Sequence, residues 1–297
     1  MSVNVILNNG VKMPIIGFGL WALYSNECIQ CVKDAISVGY RHFDTAQVYR
    51  NEREVGEGIR QSKFPRDQLP IYYNYFFNII LFYYYNLFKG FITLFVTTKT
   101  GTNGYSATKR GIEESLKKFG FPYFDLILIH WPQSDNLGTY RAIEEAYKEG
   151  KCRAIGLSNF NQREFLEIYN NFQTKPTVNQ IETHLHFNQK KMHNFLLKYN
   201  CIHESWSPFG GPGGKLLNDQ TLKSVASKNH KTPAQILLRY LLHLGIVVTP
   251  KTAKKSIMIE NLNIFNFSLS DADIKILASL DTGKGGSWPY SMHEEFY

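Results

Sequence analysis

Four residues of this chain form a set that could protonate an oxygen atom: Asp44, Tyr49, Lys99 and His130. A tyrosine alone is a poor acid at neutral pH, because its pKa is about 10. A nearby ammonium stabilises the phenolate and lowers that pKa, and a carboxylate can hold the ammonium in place and keep it charged. A neutral histidine could orient a carbonyl oxygen by hydrogen bonding. The set therefore predicts Tyr49 as a proton donor.

Such a set suits a reaction in which a carbonyl oxygen gains negative charge. Protein side chains supply no hydride, so carbonyl reduction would also require a nicotinamide cofactor. No GxGxxG motif follows a strand-like run, so a Rossmann unit would not bind that cofactor. The set includes no good nucleophile, and no spacing of His, Cys or carboxylates indicates a metal site.

The surrounding pattern predicts a barrel that brings these residues together. Short apolar runs alternate with helical patterns such as SATKRGIEESLKKFG and TPAQILLRYLLHLG, in which apolar residues recur at i, i+3 and i+4. The runs are PIIGFG, YRHFD, LFVTTK, FDLILIH, CRAIGLS, TVNQIE, CIHESWS and GIVVTPK. Eight βα units close into a (β/α)8 TIM barrel. NVILNNGVKMP precedes them and predicts a β-hairpin with an Asn-Gly turn. With no linker and no second core, residues 1–297 are predicted to form one domain.

Chemistry in such a barrel lies at the carboxyl ends of the strands. Polar or aromatic residues follow several other runs there: Ser158, Asn159, Gln180, Trp206 and Lys251. Each has an ordinary alternative explanation, since a polar residue at a strand end can cap a helix and a lysine there can simply reach solvent. Their concentration at one rim favours a functional site.

The motifs that hold these residues closely resemble those of the aldo-keto reductase family. GYRHFDTAQVYRNEREVGEGIR resembles its first signature, and LFVTTK and FDLILIHWP resemble the strands that carry Lys99 and His130. AIGLSNF, TVNQIE and ESWSPFG are similar to its nicotinamide-side segments, and VVTPKTAKKSIMIENLNIFNFSLS to its adenosine-side segment. The resemblance covers nearly the whole chain except residues 70–93. It implies an NADPH-dependent reductase of aldehydes and ketones, aldose or aldehyde reductase-like, with the cofactor extended across a barrel and pro-R-type hydride delivery.

The resemblance also assigns roles to individual residues. Tyr49 is the proton donor, Lys99 and Asp44 tune it, and His130 orients the substrate. Ser158, Asn159 and Gln180 are implied to hold the nicotinamide carboxamide, and Trp206 to stack on the nicotinamide ring. The segment from Ser207 to Phe209 would follow the pyrophosphate. Lys251 and Thr252 would meet the 2′-phosphate, and Glu260 and Asn261 the adenine. The short loops and tail resemble compact microbial-type members. Trp21, Tyr24 and Trp131 are predicted to line an open, apolar substrate pocket, or alternatively to pack the barrel mouth.

One position departs from the family pattern. The arginine usually found six residues after the lysine of the PK[ST] motif is Ile257 here. Stacking of a guanidinium on the adenine and bidentate pairing with the 2′-phosphate are both lost. Lys254 or Lys255 could compensate as point charges. We expect NADPH to remain preferred over NADH, because Lys251 and Thr252 remain, but by a smaller margin.

The bulk composition fits a cytoplasmic enzyme. The net charge is +8, yet no block of five or more Lys and Arg occurs, which favours a basic surface that attracts anionic ligands over a nucleic-acid or membrane partner. The four cysteines are too few for a disulfide scaffold, and Cys28 and Cys31 are interpreted as ordinary thiols rather than a redox pair. The amino terminus lacks the features of a signal peptide. The family resemblance implies a monomer.

Residues 70–93, PIYYNYFFNIILFYYYNLFKGFIT, interrupt the pattern between RDQL and LFVTTK. The stretch is long enough to span a membrane. A single crossing would, however, separate two neighbouring strands of one closed barrel, so only a re-entrant or surface-lying hairpin stays open. Every residue from Ile71 to Ile92 except Gly90 can be encoded with A and T alone. That composition favours a retained intron or a gene-model error over a functional insert. If translated, the stretch is an aggregation hazard.

Two alternative functions remain beside the reductase. The chain could be a non-catalytic protein with this fold, although Asp44, Tyr49, Lys99 and His130 are all intact. It could also be an inactive isoform, because residues 70–93 enter just before the strand that carries Lys99 and could disturb it.

Overall fold

The computed structural model describes residues 3–64, 66 and 93–286. The expectations for the stretch 70–93 therefore lie outside the described residues, apart from Thr93 at its end.

The first described element is the predicted hairpin. Strand β1 (Asn4–Ile6) pairs antiparallel with β2 (Lys12–Pro14). Gly10 has φ 84° in the turn, a left-handed conformation that glycine adopts without steric cost, and its N–H donates to the carbonyl of Leu7 at 2.8 Å. Leu7 and Met13 are buried at the bottom of the barrel interior, so the hairpin covers the end where the barrel strands begin.

Eight parallel strands follow, each pairing with the next in chain order. They are β3 (Phe18–Gly19), β4 (His42–Asp44), β5 (Phe95–Thr100), β6 (Phe124–Ile129), β7 (Cys152–Ser158), β8 (Val178–Glu182), β9 (Ile202–Trp206) and β10 (Val247–Val248). Main-chain bonds also join the two ends of the sheet. The N–H of Gly17 donates to the carbonyl of Val248 at 2.8 Å, and the N–H of Val248 donates to the carbonyl of Ile15 at 3.1 Å. The predicted (β/α)8 barrel is confirmed.

Helices lie between the strands, as the periodicity predicts. They are α1 (Ser25–Val38), α2 (Glu52–Ser62), α3 (Tyr105–Phe119), α4 (Asn136–Lys148), α5 (Gln162–Asn171), α6 (Lys190–Lys198), α7 (Gln220–Lys228), α8 (Pro233–His243), α9 (Lys255–Leu262) and α10 (Asp271–Ala278). Local sequence sets several boundaries. Thr232 and Gln235 form a capping box at the start of α8, with Pro233 in its first turn.

Two apolar cores hold the barrel. The larger core fills the space between helices and strands and includes Cys28 and Cys31 of α1. Burial raises the pKa of Cys28 to about 12 and that of Cys31 to about 11, so both remain thiols at neutral pH. The smaller core fills the lower barrel interior and consists of Leu7, Met13, Phe95, Leu126, Leu128, Ala154, Val178 and Val247. The upper interior is lined instead by polar side chains.

The described residues on either side of the stretch 67–92 meet at one buried carboxylate. Asp125 Oδ2 accepts from the N–H of Val96 at 2.8 Å and lies 3.1 Å from Nη2 of Arg66. Arg66 also donates to the carbonyl of Tyr123 at 2.9 Å. Asp125 is near the start of β6, so both flanks lie at the end of the barrel opposite the strand carboxyl ends. Among the described residues, no helix combines the length and apolar composition of a membrane span.

Candidate active site

The four predicted catalytic residues converge at the carboxyl ends of three neighbouring strands. Asp44 is the last residue of β4, and Tyr49 ends the short 3-10 helix Gln47–Tyr49 that follows it. Lys99 lies in β5, one residue before its end. His130 directly follows β6, and its N–H donates to the carbonyl of Thr100 at 3.2 Å.

Asp44 and Lys99 form a buried ion pair. Lys99 Nζ donates to Asp44 Oδ1 at 2.5 Å and to the carbonyl of Thr45 at 3.1 Å. Burial by itself lowers the pKa of Lys99, but the negative charge of Asp44 and the neighbouring Tyr49 raise it by more, so the net shift is upward. Lys99 is therefore a fixed ammonium group inside the barrel mouth.

Tyr49 and His130 lie against this ammonium. Lys99 Nζ is 5.1 Å from the centroid of the Tyr49 ring, and the Tyr49 and His130 rings meet edge to face at a centroid distance of 5.7 Å. Burial, followed by the charge of Lys99, lowers the pKa of His130 to about 3, which makes it neutral at physiological pH.

The pKa of Tyr49 shifts against the sequence-based expectation. Burial raises it above its ordinary value, and the opposing effect of Lys99 does not offset that rise. The predicted lowering by Lys99 is present as one contribution, but the net direction is upward. The Tyr49 phenol thus keeps its proton at neutral pH. The Lys99 ammonium is close enough to stabilise the phenolate that a proton transfer would leave.

Asn51 holds the loop of Tyr49 in place by hydrogen bonds, a role that the sequence pattern did not indicate. The Asn51 amide nitrogen donates to the carbonyls of Leu20 and Leu23 at 2.8 and 2.9 Å, and its oxygen accepts from the Thr45 hydroxyl at 2.6 Å. One buried amide therefore ties the loop of Trp21 and Tyr24 to the loop of Tyr49. The family-like motif around Asn51 gives no local sign of this contact.

The residues predicted to hold the nicotinamide form one hydrogen-bond network beside the four predicted catalytic residues. Asn159 Nδ2 donates to the carbonyl of His130 at 2.9 Å and to Ser158 Oγ at 3.1 Å. Asn159 Oδ1 accepts from Trp206 Nε1 at 2.8 Å. Ser158 Oγ donates to the carbonyl of Gln180 at 2.8 Å. The orientation of the Trp206 indole is thereby coupled to the strand that carries Gln180.

Glu204 is a second residue that sequence reasoning missed. Gln180 Nε2 donates to Asp44 Oδ2 at 2.8 Å and to Glu204 Oε2 at 2.9 Å. Glu204 lies in β9 and is fully buried. Burial, followed by the negative charge of Asp44, raises the pKa of Glu204 to about 8. A carboxylate in the middle of the run CIHESWS was the available signal, because such a group rarely sits in a buried strand without a partner.

The residues predicted at the adenosine end follow β10. Lys251 is exposed, and Thr252 Oγ1 accepts from the N–H of Lys254 at 3.1 Å. Lys255 instead pairs with Asp34 at 2.9 Å, and Ile257 is half-buried. Of the two lysines that could compensate for the missing arginine, Lys255 therefore already has an acidic partner.

Asn261 provides a test of whether this end suits an adenine. The amide of Asn261 is buried, and the Tyr40 hydroxyl is the side-chain group that interacts with it. The neighbouring Tyr40 hydroxyl donates to the carbonyl of Met258 at 3.4 Å. Glu260 Oε1 accepts from Thr232 Oγ1 at 2.6 Å. A side-chain amide has both a donor and an acceptor atom, so one hydroxyl does not satisfy it fully, and a purine could pair with the remaining group. The residues present fit the predicted cofactor.

The remaining predicted residues lie around the mouth. Trp21 is 40% exposed and Tyr24 is 54% exposed, so neither ring is buried in the barrel packing. Trp131 meets Trp206 edge to face at a centroid distance of 6.4 Å. Ser207 has φ 57° at the start of the segment that leads to Phe209, a conformation that few non-glycine residues adopt.

Comparison with known proteins covers nearly the whole chain. A sequence model of the Aldo/keto reductase family matches residues 15–282. The chain is 37% identical over 281 residues to the glyoxal reductase of Bacillus subtilis (strain 168), covering 93% of this chain and 92% of that protein. The fold is similar to MGS-M4, an aldo-keto reductase from a Medee basin deep-sea metagenome library, with a TM-score of 0.84, 38% identity and coverage of 94% and 96% of the two chains. It is also similar to an aldo-keto reductase of Bombyx mori in complex with NADP, with a TM-score of 0.79, 29% identity and coverage of 95% and 94%.

Proposed function

The chain belongs to the aldo-keto reductase family, and on that basis we propose that it is an NADPH-dependent reductase of aldehydes and ketones with Tyr49 as the proton donor. The observation that carries this proposal is the buried pair of Lys99 and Asp44 placed against the Tyr49 ring, with a neutral His130 beside it. Small reactive aldehydes are the substrate class to test first, because the Bacillus subtilis relative is named a glyoxal reductase.

In this mechanism the substrate oxygen lies between the Tyr49 hydroxyl and the His130 ring. A bound nicotinamide would supply the hydride that side chains cannot provide. His130 donates a hydrogen bond that orients the carbonyl, and Tyr49 transfers its proton to the oxygen as negative charge develops there. Lys99 stabilises the phenolate that remains, while Asp44 holds the ammonium in position.

We further propose that the cofactor is held from the mouth to the edge of α9. Ser158, Asn159 and Gln180 would hold the carboxamide, Trp206 would stack on the ring, and the segment from Ser207 to Phe209 would follow the pyrophosphate. Lys251 and Thr252 would meet the 2′-phosphate, and Glu260 and Asn261 the adenine. The buried and incompletely paired amide of Asn261 supports this assignment. The chain is also proposed to be a cytoplasmic monomer.

Restoring an arginine at position 257 tests the cofactor preference. We expect Ile257→Arg to tighten NADPH binding by about tenfold, because a guanidinium can pair bidentately with a phosphate, and charge-assisted hydrogen bonds of this kind are worth about 1.5–3 kcal/mol. NADH lacks the 2′-phosphate and should bind nearly as before. Titration of cofactor fluorescence gives both dissociation constants.

Ile259→Arg is the matched control, because Ile259 lies on the same helix and its side chain is 53% exposed. An equal gain in both variants would mean that added positive charge, rather than position 257, improves binding. Equal dissociation constants for NADH and NADPH in the unmodified chain would contradict the proposed preference for NADPH.

The activity itself is tested with the purified full-length chain. We expect NADPH to be consumed in the presence of glyoxal or methylglyoxal, with one alcohol group formed for each NADPH oxidised. A chain that binds NADPH but reduces no aldehyde or ketone would favour the non-catalytic alternative.

Removing residues 70–93 tests the other alternative, an isoform disrupted by that stretch. Arg66 and Val96 both reach Asp125, and the six remaining Cα–Cα steps between them span up to about 20 Å. Because both residues contact the same carboxylate, these six steps are long enough to connect them without moving β5. We expect the shortened chain to be more soluble and to keep the kcat of the full chain, measured by NADPH consumption. Activity that appears only after the deletion would identify the full chain as inactive. A shortened chain that no longer folds would contradict the idea that the stretch is dispensable.

A further inference from the structure

A buried amide lies between two acidic side chains on the floor of this site. The nitrogen of Gln180 uses one hydrogen for Asp44 Oδ2, at 2.8 Å, and the other for Glu204 Oε2, at 2.9 Å. An amide oxygen in that place would face the Asp44 carboxylate and be repelled by it. The two acids therefore determine which way the amide is turned.

This orientation leaves one polar atom of Gln180 for a ligand. With both hydrogens of Nε2 engaged, the side-chain oxygen is the only hydrogen-bonding group of the amide that is not committed to an acid. Gln180 lies in β8, near the same rim of the barrel as Asp44 and Lys99. A hydrogen-bond acceptor at this place matches the NH2 group of a carboxamide. Resting on the proposed function, we propose that Glu204 is a positioning residue that, together with Asp44, clamps Gln180 so that its oxygen receives the nicotinamide carboxamide.

Within the described part of the chain, Glu204 has no other partner that would explain its place in a buried strand. Its Oε1 lies 3.7 Å from His42 Nε2 and has no hydrogen-bond partner among the described residues. Burial lowers the pKa of His42 to about 4, so this contact is not an ion pair at neutral pH. The charged groups that face Glu204 are Asp44 and Lys99, and they are already paired with each other. The bond to Gln180 is thus the specific contact that Glu204 makes.

The protonation state of Glu204 indicates which substitution preserves the clamp. Since its pKa is raised to about 8, the carboxyl group is neutral at pH 7 and accepts from Gln180 through Oε2. A glutamine has the same shape, the same neutral charge and an acceptor oxygen. Glu204→Gln should therefore retain the clamp, whereas Glu204→Leu removes the acceptor and leaves one N–H of Gln180 unpaired.

The test is a double-mutant cycle on cofactor affinity, measured by fluorescence titration of the full chain with NADPH at pH 7. We expect Glu204→Leu to weaken binding by about tenfold, and Glu204→Gln to bind like the unmodified chain. Gln180→Ala should also weaken binding, and Glu204→Leu added to it should have no further effect. Glu52→Leu is the control and should leave the NADPH affinity unchanged. Glu52 is a buried glutamate on α2 that accepts from Thr98 and lies outside the site.

Two results would overturn the clamp. One is an unchanged NADPH affinity in Glu204→Leu. The other is that Glu204→Leu lowers the NADPH affinity equally in the unmodified chain and in Gln180→Ala, which would show an effect on the fold. If Glu204→Leu does not fold, Glu204→Met carries the same expectation. Because binding needs no turnover, a chain that binds NADPH but reduces no aldehyde refutes the reductase and leaves the clamp to be judged from affinity. A chain that binds no NADPH refutes both.

Discussion

We expect Tyr49→Phe to lower kcat for aldehyde reduction by about 10²–10⁴-fold, the usual contribution of a positioned general acid. The substitution removes only the hydroxyl group, and the phenyl ring can keep its contacts with Lys99 Nζ and the His130 ring. NADPH affinity should stay unchanged, because Tyr49 is assigned to the substrate oxygen and not to the cofactor. NADPH consumption with methylglyoxal measures the rate, and fluorescence titration measures the affinity.

Tyr169→Phe is the matched control for this substitution. Tyr169 lies near the end of α5, away from the mouth, and stacks on Phe165. Loss of its hydroxyl should leave kcat as it was. Substantial activity in Tyr49→Phe would refute Tyr49 as the proton donor, whatever the control shows.

The second large effect concerns the buried ion pair. We expect Lys99→Met to abolish reduction and to lower the free energy of unfolding by about 3–5 kcal/mol, because it leaves the Asp44 carboxylate buried without its counter-charge. The activity loss has a separate cause: no ammonium then stabilises the phenolate of Tyr49. Urea denaturation gives the stability and NADPH consumption the activity.

A double variant separates the two causes. Asp44→Asn combined with Lys99→Met removes both charges, so much of the lost stability should return while the activity does not. Lys148→Met is the control, because Lys148 pairs with Glu144 at 2.8 Å but its side chain is 60% exposed. Such a surface pair should cost no more than about 0.5 kcal/mol. Full stability in Lys99→Met, or activity in the double variant, would contradict the roles assigned to the pair.

Much of this site follows from local sequence pattern. Short apolar runs, alternating with helical patterns of period 3.6, predicted the eight βα units. Once parallel strands close into a barrel, their carboxyl ends must share one rim, which brings Asp44 and Lys99 into contact although they are 55 positions apart in the chain. The hairpin turn at Gly10 was equally local, since an Asn-Gly pair encodes its own backbone conformation.

Other features depended on contacts that no local pattern contains. Gln180 and Asp44 are 136 positions apart in the chain, and their hydrogen bond exists only because β8 and β4 face each other across the barrel interior. The pairing of Lys255 with Asp34 likewise joins two distant helices.

The type of fold, the family and the set of residues at the rim could all be predicted from the amino-acid sequence. The net direction of the Tyr49 pKa shift and the partners of Gln180 became evident from the folded barrel. The reason is physical. Periodicity records which face of an element is apolar, a property of neighbouring residues, whereas desolvation and cross-barrel distances depend on all the strands together once the barrel has closed.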